Sequence, residues 1–170
     1  MKRENLIIRE AVFDDLSKLR KLRLEALKLH PEAFGGDYET DKKLPLSHWQ
    51  RNFKPDSGNT VFVAQSGIDL VGTSGIYRHK SPKMSHNAVI WGVYVTANFR
   101  HQKVGEKLLG ACLDWAQKED LVSVKLSVVT NNASAIRLYL NCGFQVYGVE
   151  SKVIKVGQDY YDELLMAKNF

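Results

Sequence analysis

Val93 to Ala116 reads VYVTANFRHQKVGEKLLGACLDWA. An alternating apolar run leads through a basic turn, Arg100-His101-Gln102-Lys103, into a segment with apolar residues at helical spacing and Gly105 near its start. The helix predicted over Val104 to Lys118 is followed by Val122 to Val128, whose alternation has the period of a strand. A strand, a helix and a second strand in that order form a crossover unit, which makes the two strands locally parallel. This stretch limits the fold more than any other part of the chain.

The flanking sequence supplies the rest of a sheet. Leu6 to Ala11 suggests a first strand, after which Asp14 or Asp15 is placed to cap a helix. Leu16, Leu19, Leu22, Ala26 and Leu29 mark that helix's buried face, with Lys18, Lys21 and Lys28 on its solvated side. Pro31 to Asp37 breaks the helix, and a short second one is expected over Ser47 to Phe53. Thr60 to Gln65, Leu70 to Tyr77 and Ala88 to Val95 predict three strands of a meander, the first two joined at Ser66-Gly67. A last helix over Asn132 to Leu140 stops at Gly143, and Phe144 to Ile154 can pair with Tyr160 to Met166 across Gly157-Gln158. At 170 residues the whole fits one α/β (α+β) domain around a single core.

Composition removes several function classes. No apolar run approaches the roughly 20 residues needed to cross a bilayer, and Met1 to Asn5 leads into the chain without a signal-peptide core. A cytoplasmic, membrane-free protein is expected. Cys112 and Cys142 read as reduced packing residues. His30, His48, His79, His86 and His101 lack paired ligand spacing, so no metal is expected. The net charge of +5 favours anionic partners. A nucleic-acid module would need interleaved aromatic and basic residues, which are lacking, so no nucleic-acid partner is expected. Neither G-x-x-x-x-G-K-[ST] nor a G-x-G-x-x-G between strand and helix occurs, which removes the best signals for nucleotide hydrolysis and dinucleotide binding.

A helix start exposes amide hydrogens and carries roughly half a positive charge, so the turn before it can wrap phosphate oxygens. Arg100, His101 and Lys103 add charge or donors, and Gly105 would let a phosphate approach the backbone. A solvent-exposed basic connection explains the same residues equally well.

The segment Asn132 to Phe144, NASAIRLYLNCGF, changes that balance. With FRHQKVG and the preceding strand it resembles the Gcn5-related N-acetyltransferase (GNAT) family, whose two motifs read R/Q-x-x-G-x-G/A and approximately N-x-x-A-I-x-L-Y-x-x-x-G-F. Arg100 and Gly105 take the outer places of the first, with Lys103 where a glycine is usual. Asn132, Ala135, Ile136, Leu138, Tyr139, Gly143 and Phe144 match the second. The resemblance implies a GNAT-like fold, a mixed, mostly antiparallel sheet flanked by helices and splayed between its fourth and fifth strands. It implies acetyl-CoA as co-substrate. Val93, Tyr94 and Val95 would hold the pantetheine arm through the backbone after a fourth-strand bulge. Arg100, His101, Gln102, Lys103, Val104 and Gly105 would cradle the phosphates, and Asn132 would contact the arm or cap its helix. A requirement for positive φ at Lys103 would count against lysine there.

Acetyl transfer from a thioester needs a neutral amine, a donor for the developing oxyanion and a proton for the thiolate. Tyr139 matches the family tyrosine beside the sulfur and is the expected general acid, although it also fits the buried stripe of its helix. The fourth strand carries no carboxylate, so Glu25, Glu32, Asp37, Glu39 and His86 are candidates for the base by chemistry alone. The resemblance implies an N-acetyltransferase acting on a primary amine by direct attack in a ternary complex. A non-catalytic acyl-CoA-binding or sensing domain is the alternative. Glu32, Asp37, Glu39, Asp41, Asp159 and Asp162, with Tyr38, Tyr160 and Tyr161, would form an acidic, aromatic mouth for a cationic acceptor. Ordinary solvated loops have the same composition, and homodimerisation is left open.

Overall fold

The computed structural model describes residues 6–50 and 58–170. The expectations that fall on Met1 to Asn5 and on Arg51 to Phe53 lie outside them. Among the described residues the seven strands are β1 (Leu6–Glu10), β2 (Asn59–Ser66), β3 (Asp69–Arg78), β4 (Asn87–Val95), β5 (Ser123–Val129), β6 (Gln145–Val156) and β7 (Asp159–Asn169). The helices are α1 (Leu16–Leu29), α2 (Tyr38–Lys43), α3 (Leu46–Trp49), α4 (Val104–Lys118) and α5 (Ala133–Asn141). The strands form one sheet in the order β1-β2-β3-β4-β5-β7-β6, antiparallel except where β4 meets β5.

Alternation along β2 shows how the layers form. Phe62 and Ala64 face the core built on α4, around Leu108, Leu109, Cys112 and Leu113, while Val63 faces the other way, towards Leu22 and Ala26 of α1. Both faces of the central sheet are therefore covered, which explains why β2 and β3 are almost continuously buried.

The first helix departs from expectation in two ways. Leu29 is 57% exposed and Leu27 is buried in its place, because leucine is so frequent in α1 that its apolar stripe can be drawn two ways. No side chain caps α1. Asp15 instead accepts the Val12 amide at 2.8 Å and both terminal nitrogens of Arg9, at 2.6 and 2.8 Å. The Arg9 guanidinium thereby holds the Asp15 carboxyl below the usual carboxylate range. Within the described residues the short helix expected from Ser47 onward is present as α3, which begins one residue earlier, and α2 before it was not expected.

The β4–β5 contact positions the site. Pairing extends only over Asn87, Ala88 and Val89 with Ser123, Val124 and Lys125. Beyond it the strands diverge, and one backbone edge of Ile90 to Val95 has no sheet partner. β4 also carries one extra residue. Ile90 and Trp91 pair with Ile76 and Gly75, but Tyr94 and Val95 pair with Thr73 and Gly72, so the register slips by one between them. Gly92 lies in that bulge at φ +63°, with no atom within 4 Å of where a Cβ would stand. A one-residue insertion exchanges the faces of everything after it. Ala88 and Ile90 face the α4 core, as do Val93 and Val95, and Tyr94 is sent to the α1 face.

Candidate active site

The divergence of β4 and β5 opens a cleft of about 950 Å³. Its wall contains Val93, Tyr94, Val95, Arg100, His101, Lys103, Val104, Gly105, Asn132 and Tyr139, which gathers the residues singled out from the sequence with one exception. Gln102 is exposed and absent from that wall, and its carboxamide donates to the Asn98 carbonyl at 2.9 Å. Its side chain is thus turned away from the cleft, and the cradle expected over Arg100 to Gly105 has only the Gln102 backbone to use.

At one end of the cleft stands the start of α4. Lys103 is its N-cap position at φ 60°, and no side chain caps the helix. The first amides of α4 thus remain available to an anion. The left-handed conformation that would favour glycine is present, and a lysine occupies it; for an L-residue this costs roughly 1–2 kcal/mol. His101 repeats the conformation at φ 60°, so the turn is wound twice through the left-handed region with cationic or hydrogen-bonding side chains at both places. Gly105 borders the cleft and also has a packing reason to lack a side chain. A Cβ there would meet Leu138 Cδ2 at 2.9 Å, so its missing side chain lets α4 approach α5.

Arg100 is engaged inward. Its Nε donates to the Val95 carbonyl at 3.0 Å, its Nη2 donates to His30 Nε2 at 3.0 Å, and its guanidinium lies 5.8 Å from the centre of the Tyr94 ring. Since arginine can only donate, His30 Nε2 must accept, which leaves the imidazole proton on Nδ1, 3.9 Å from Glu32 Oε1. The Tyr94 hydroxyl donates to Glu25 Oε1 at 2.8 Å, and burial first, then Glu25, pushes its pKa up to about 12. Glu25, one of the candidate bases, is therefore occupied. Tyr94 can serve a ligand only through its backbone.

Tyr139 is 6% exposed, packs edge-on against Phe144 and has no hydrogen-bond partner for its hydroxyl among the described residues. Burial raises its pKa, so the phenol stays protonated. Asn132 Oδ1 accepts from the Ala135 amide at 3.2 Å and from the Ser134 hydroxyl at 3.0 Å, leaving only its amide nitrogen free for the cleft.

The acidic, aromatic mouth needs correction in its members. Only Glu32 of its six carboxylates borders the cleft. Asp37 caps α2 through the Thr40 amide, Asp41 lies beside Arg23, and Asp162 accepts the Lys152 amide. Tyr38 is already flanked by Lys28 and Lys42, and Tyr160 by Lys152 and Lys155. His86, another candidate base, lies on the surface beside Asn87, away from the cleft wall. Sequence reasoning missed Arg23, His30, Phe34, Trp91 and Glu163, all on the wall. For Gly92 the signal was available, since a lone glycine inside a strand pattern marks a bulge. His30 and Arg23 gave none, because their neighbours are distant in sequence or lie in a polar loop.

The acetyltransferase (GNAT) family model matches residues 23–144. The L-amino acid N-acetyltransferase AaaT of Escherichia coli is 26% identical over 168 residues, covering 96% of this chain and 97% of that protein. The N-alpha-acetyltransferase RimI of Mycobacterium tuberculosis is 33% identical over 105 residues, 61% of this chain and 63% of that one. Among solved structures, yncA of Salmonella typhimurium, determined with its cofactor acetyl-CoA, superposes with a TM-score of 0.82 at 23% identity, covering 97% of this chain and 94% of that one. The match spans both the bulged fourth strand and the helix that carries Tyr139, and the chain belongs to the GNAT family of acetyltransferases.

Proposed function

We propose a division of labour for acetyl-CoA-dependent transfer of an acetyl group to a primary amine, carried by one observation: an unpaired β4 backbone edge leads through the turn of Thr96 to Lys103 into an uncapped helix start. The edge after Gly92 holds the pantetheine arm by strand-like hydrogen bonds. The first amides of α4, with His101 and Lys103, receive the phosphates. Arg100 keeps this turn attached to β4 and to His30. Acetyl-CoA supplies the activated acyl group, and a β4 amide near Val93 polarises its carbonyl as negative charge develops there.

Tyr139 donates a hydrogen bond to the departing sulfur. Because burial holds the phenol above the range of a thiol, near 8.5 for a free cysteine, complete proton transfer to a thiolate runs uphill. The residue therefore acts chiefly by stabilising charge as the bond breaks. Glu32 is assigned to take the proton from the incoming ammonium, directly or through water, with His30 at its side. That ammonium is the cationic feature of the acceptor which the cleft attracts.

The names of the relatives span free L-amino acids and N-alpha-acetylation, so a primary amine is the common acceptor. Among the described residues no helix is long and apolar enough to cross a membrane, and both cysteines are free thiols; the cytoplasm, where acetyl-CoA is available, is the compartment we assign. Release of free CoA across a panel of amino acids, peptides and polyamines tests the reading. Turnover with at least one class is expected. Tight acetyl-CoA binding with no turnover by any amine would favour a sensing domain instead.

A further inference from the structure

Two arginines on the cleft wall, Arg23 and Arg137, donate no hydrogen bond among the described residues, and of these Arg137 is exposed while Arg23 is partly buried. Arg9 is paired bidentately with Asp15, Arg20 donates to the Lys42 carbonyl, Arg78 donates to Ser85 and Glu119, and Arg100 is engaged as described above. Arg23 lies on α1 with its side chain 22% exposed, stacked 5.1 Å from the centre of the Phe34 ring. Its only ionic neighbour is Asp41, 3.8 Å from Nε, which is too long for a hydrogen bond. Among the described residues its guanidinium donates no hydrogen bond. Its nitrogens stay reachable from the cleft, so a fork of five N–H groups with no acceptor among the described residues is open to an anion that enters there.

The surroundings keep that fork available. Arg23, Phe34, Gly35 and Gly36 all border the cleft, and a Cβ on Gly36 would stand 2.7 Å from Arg23 Nη2. Any side chain at position 36 would displace the guanidinium. Two anions can enter this cleft, the phosphates of acetyl-CoA and a carboxylate on the acceptor. The phosphates already have the α4 start, which lies on the opposite sheet face from α1. The Pro31–Ala33 turn, whose Glu32 and Ala33 border the same cleft, touches β5 and β6.

We propose that Arg23 binds the carboxylate of the acceptor, and hence that the preferred amine is a free amino acid rather than a polyamine or a peptide amino terminus. The planar guanidinium matches a carboxylate with two parallel hydrogen bonds. The proposal rests on the acetyltransferase reading above, and Arg23 acts through substrate binding rather than on the reacting atoms.

The test compares the twenty amino acids with their carboxamides. kcat/KM is measured by CoA release, and binding by calorimetric titration of each compound into the protein saturated with CoA. The wild type should favour the best amino acid over its amide by roughly 10- to 100-fold, the range of a charged bidentate contact. Arg23→Gln should lower amino-acid turnover by roughly 10- to 100-fold more than amide turnover, erasing the preference for the acid, while acetyl-CoA affinity persists. Gly36→Ala, which pushes the fork aside from a neighbouring loop, should shift selectivity the same way. Equal use of acid and amide by the wild type, equal loss of both in Arg23→Gln, or no amino acid binding to the CoA-loaded protein would each overturn the carboxylate assignment. Amino acids that bind but are never acetylated would instead leave Arg23 in place and overturn the transferase reading.

Discussion

At the scale of single residues, stability and chemistry are carried by different groups. Asp15 is 5% exposed and holds Arg9 with the Val12 amide, so Asp15→Asn should destabilise the fold by about 2–3 kcal/mol, the range for a broken charged hydrogen-bond set. Because its folded pKa is lowered, its contribution is fully present above the unfolded value near 3.9 and fades as pH falls through the folded value. Urea titrations at neutral pH and near pH 2 should show the gap between wild type and variant closing in acid. An undiminished gap at low pH would contradict the assignment. Tyr139→Phe removes a hydroxyl without a protein partner, so stability and acetyl-CoA affinity should persist. Single-turnover acetyl transfer should slow by about 10², the low end of the range for a positioned acid, since the raised pKa weakens the donor. Transfer at the wild-type rate would remove Tyr139 from the chemistry.

Among the elements, the bulged β4 and the turn into α4 build the end of the cleft proposed to hold the cofactor. Gly92→Val forces a β-branched residue into φ +63° where space is open, so its cost is backbone strain, roughly 1–2 kcal/mol. Escape by removing the bulge would exchange the faces of Val93 and Tyr94, and either outcome should weaken acetyl-CoA binding in a direct titration. Lys103→Gly separates the two roles of that position. Relief of left-handed strain, roughly 1–2 kcal/mol, exceeds the entropic cost of glycine, roughly 0.5–1 kcal/mol. The variant should therefore unfold at slightly higher denaturant while binding acetyl-CoA more weakly for want of the ammonium. Helix α4 was legible to the residue because its apolar positions keep a 3.6 period from Val104 onwards, and the β2, β3 and β4 ranges fell within one residue because alternation and turn pairs bound them. α2 was not, since a six-residue polar helix is too short to show a period. The inward engagement of Arg100 was hidden for another reason: His30 is 70 positions away, and local pattern carries no information about such a contact.

For the whole molecule, the sheet is two antiparallel blocks joined by three residue pairs of parallel β4–β5 contact, and the gap where that contact ends is the place proposed for the cofactor. A ligand bound only by the folded state adds about 2.7 kcal/mol at a hundredfold excess over Kd. At roughly 2–4 °C per kcal/mol for a chain of this size, acetyl-CoA should raise the thermal midpoint by about 5–10 °C. The most direct measurement of the central claim is amide hydrogen exchange with and without saturating acetyl-CoA, resolved by peptide. Protection concentrated in Val93 to Val95 and His101 to Glu106 is the predicted result, because these carry the unpaired strand edge and the uncapped helix start. Protection confined to other segments, such as the Arg78, His79 and Lys80 surface beside Trp115, with the β4 edge and the α4 start unchanged, would contradict it.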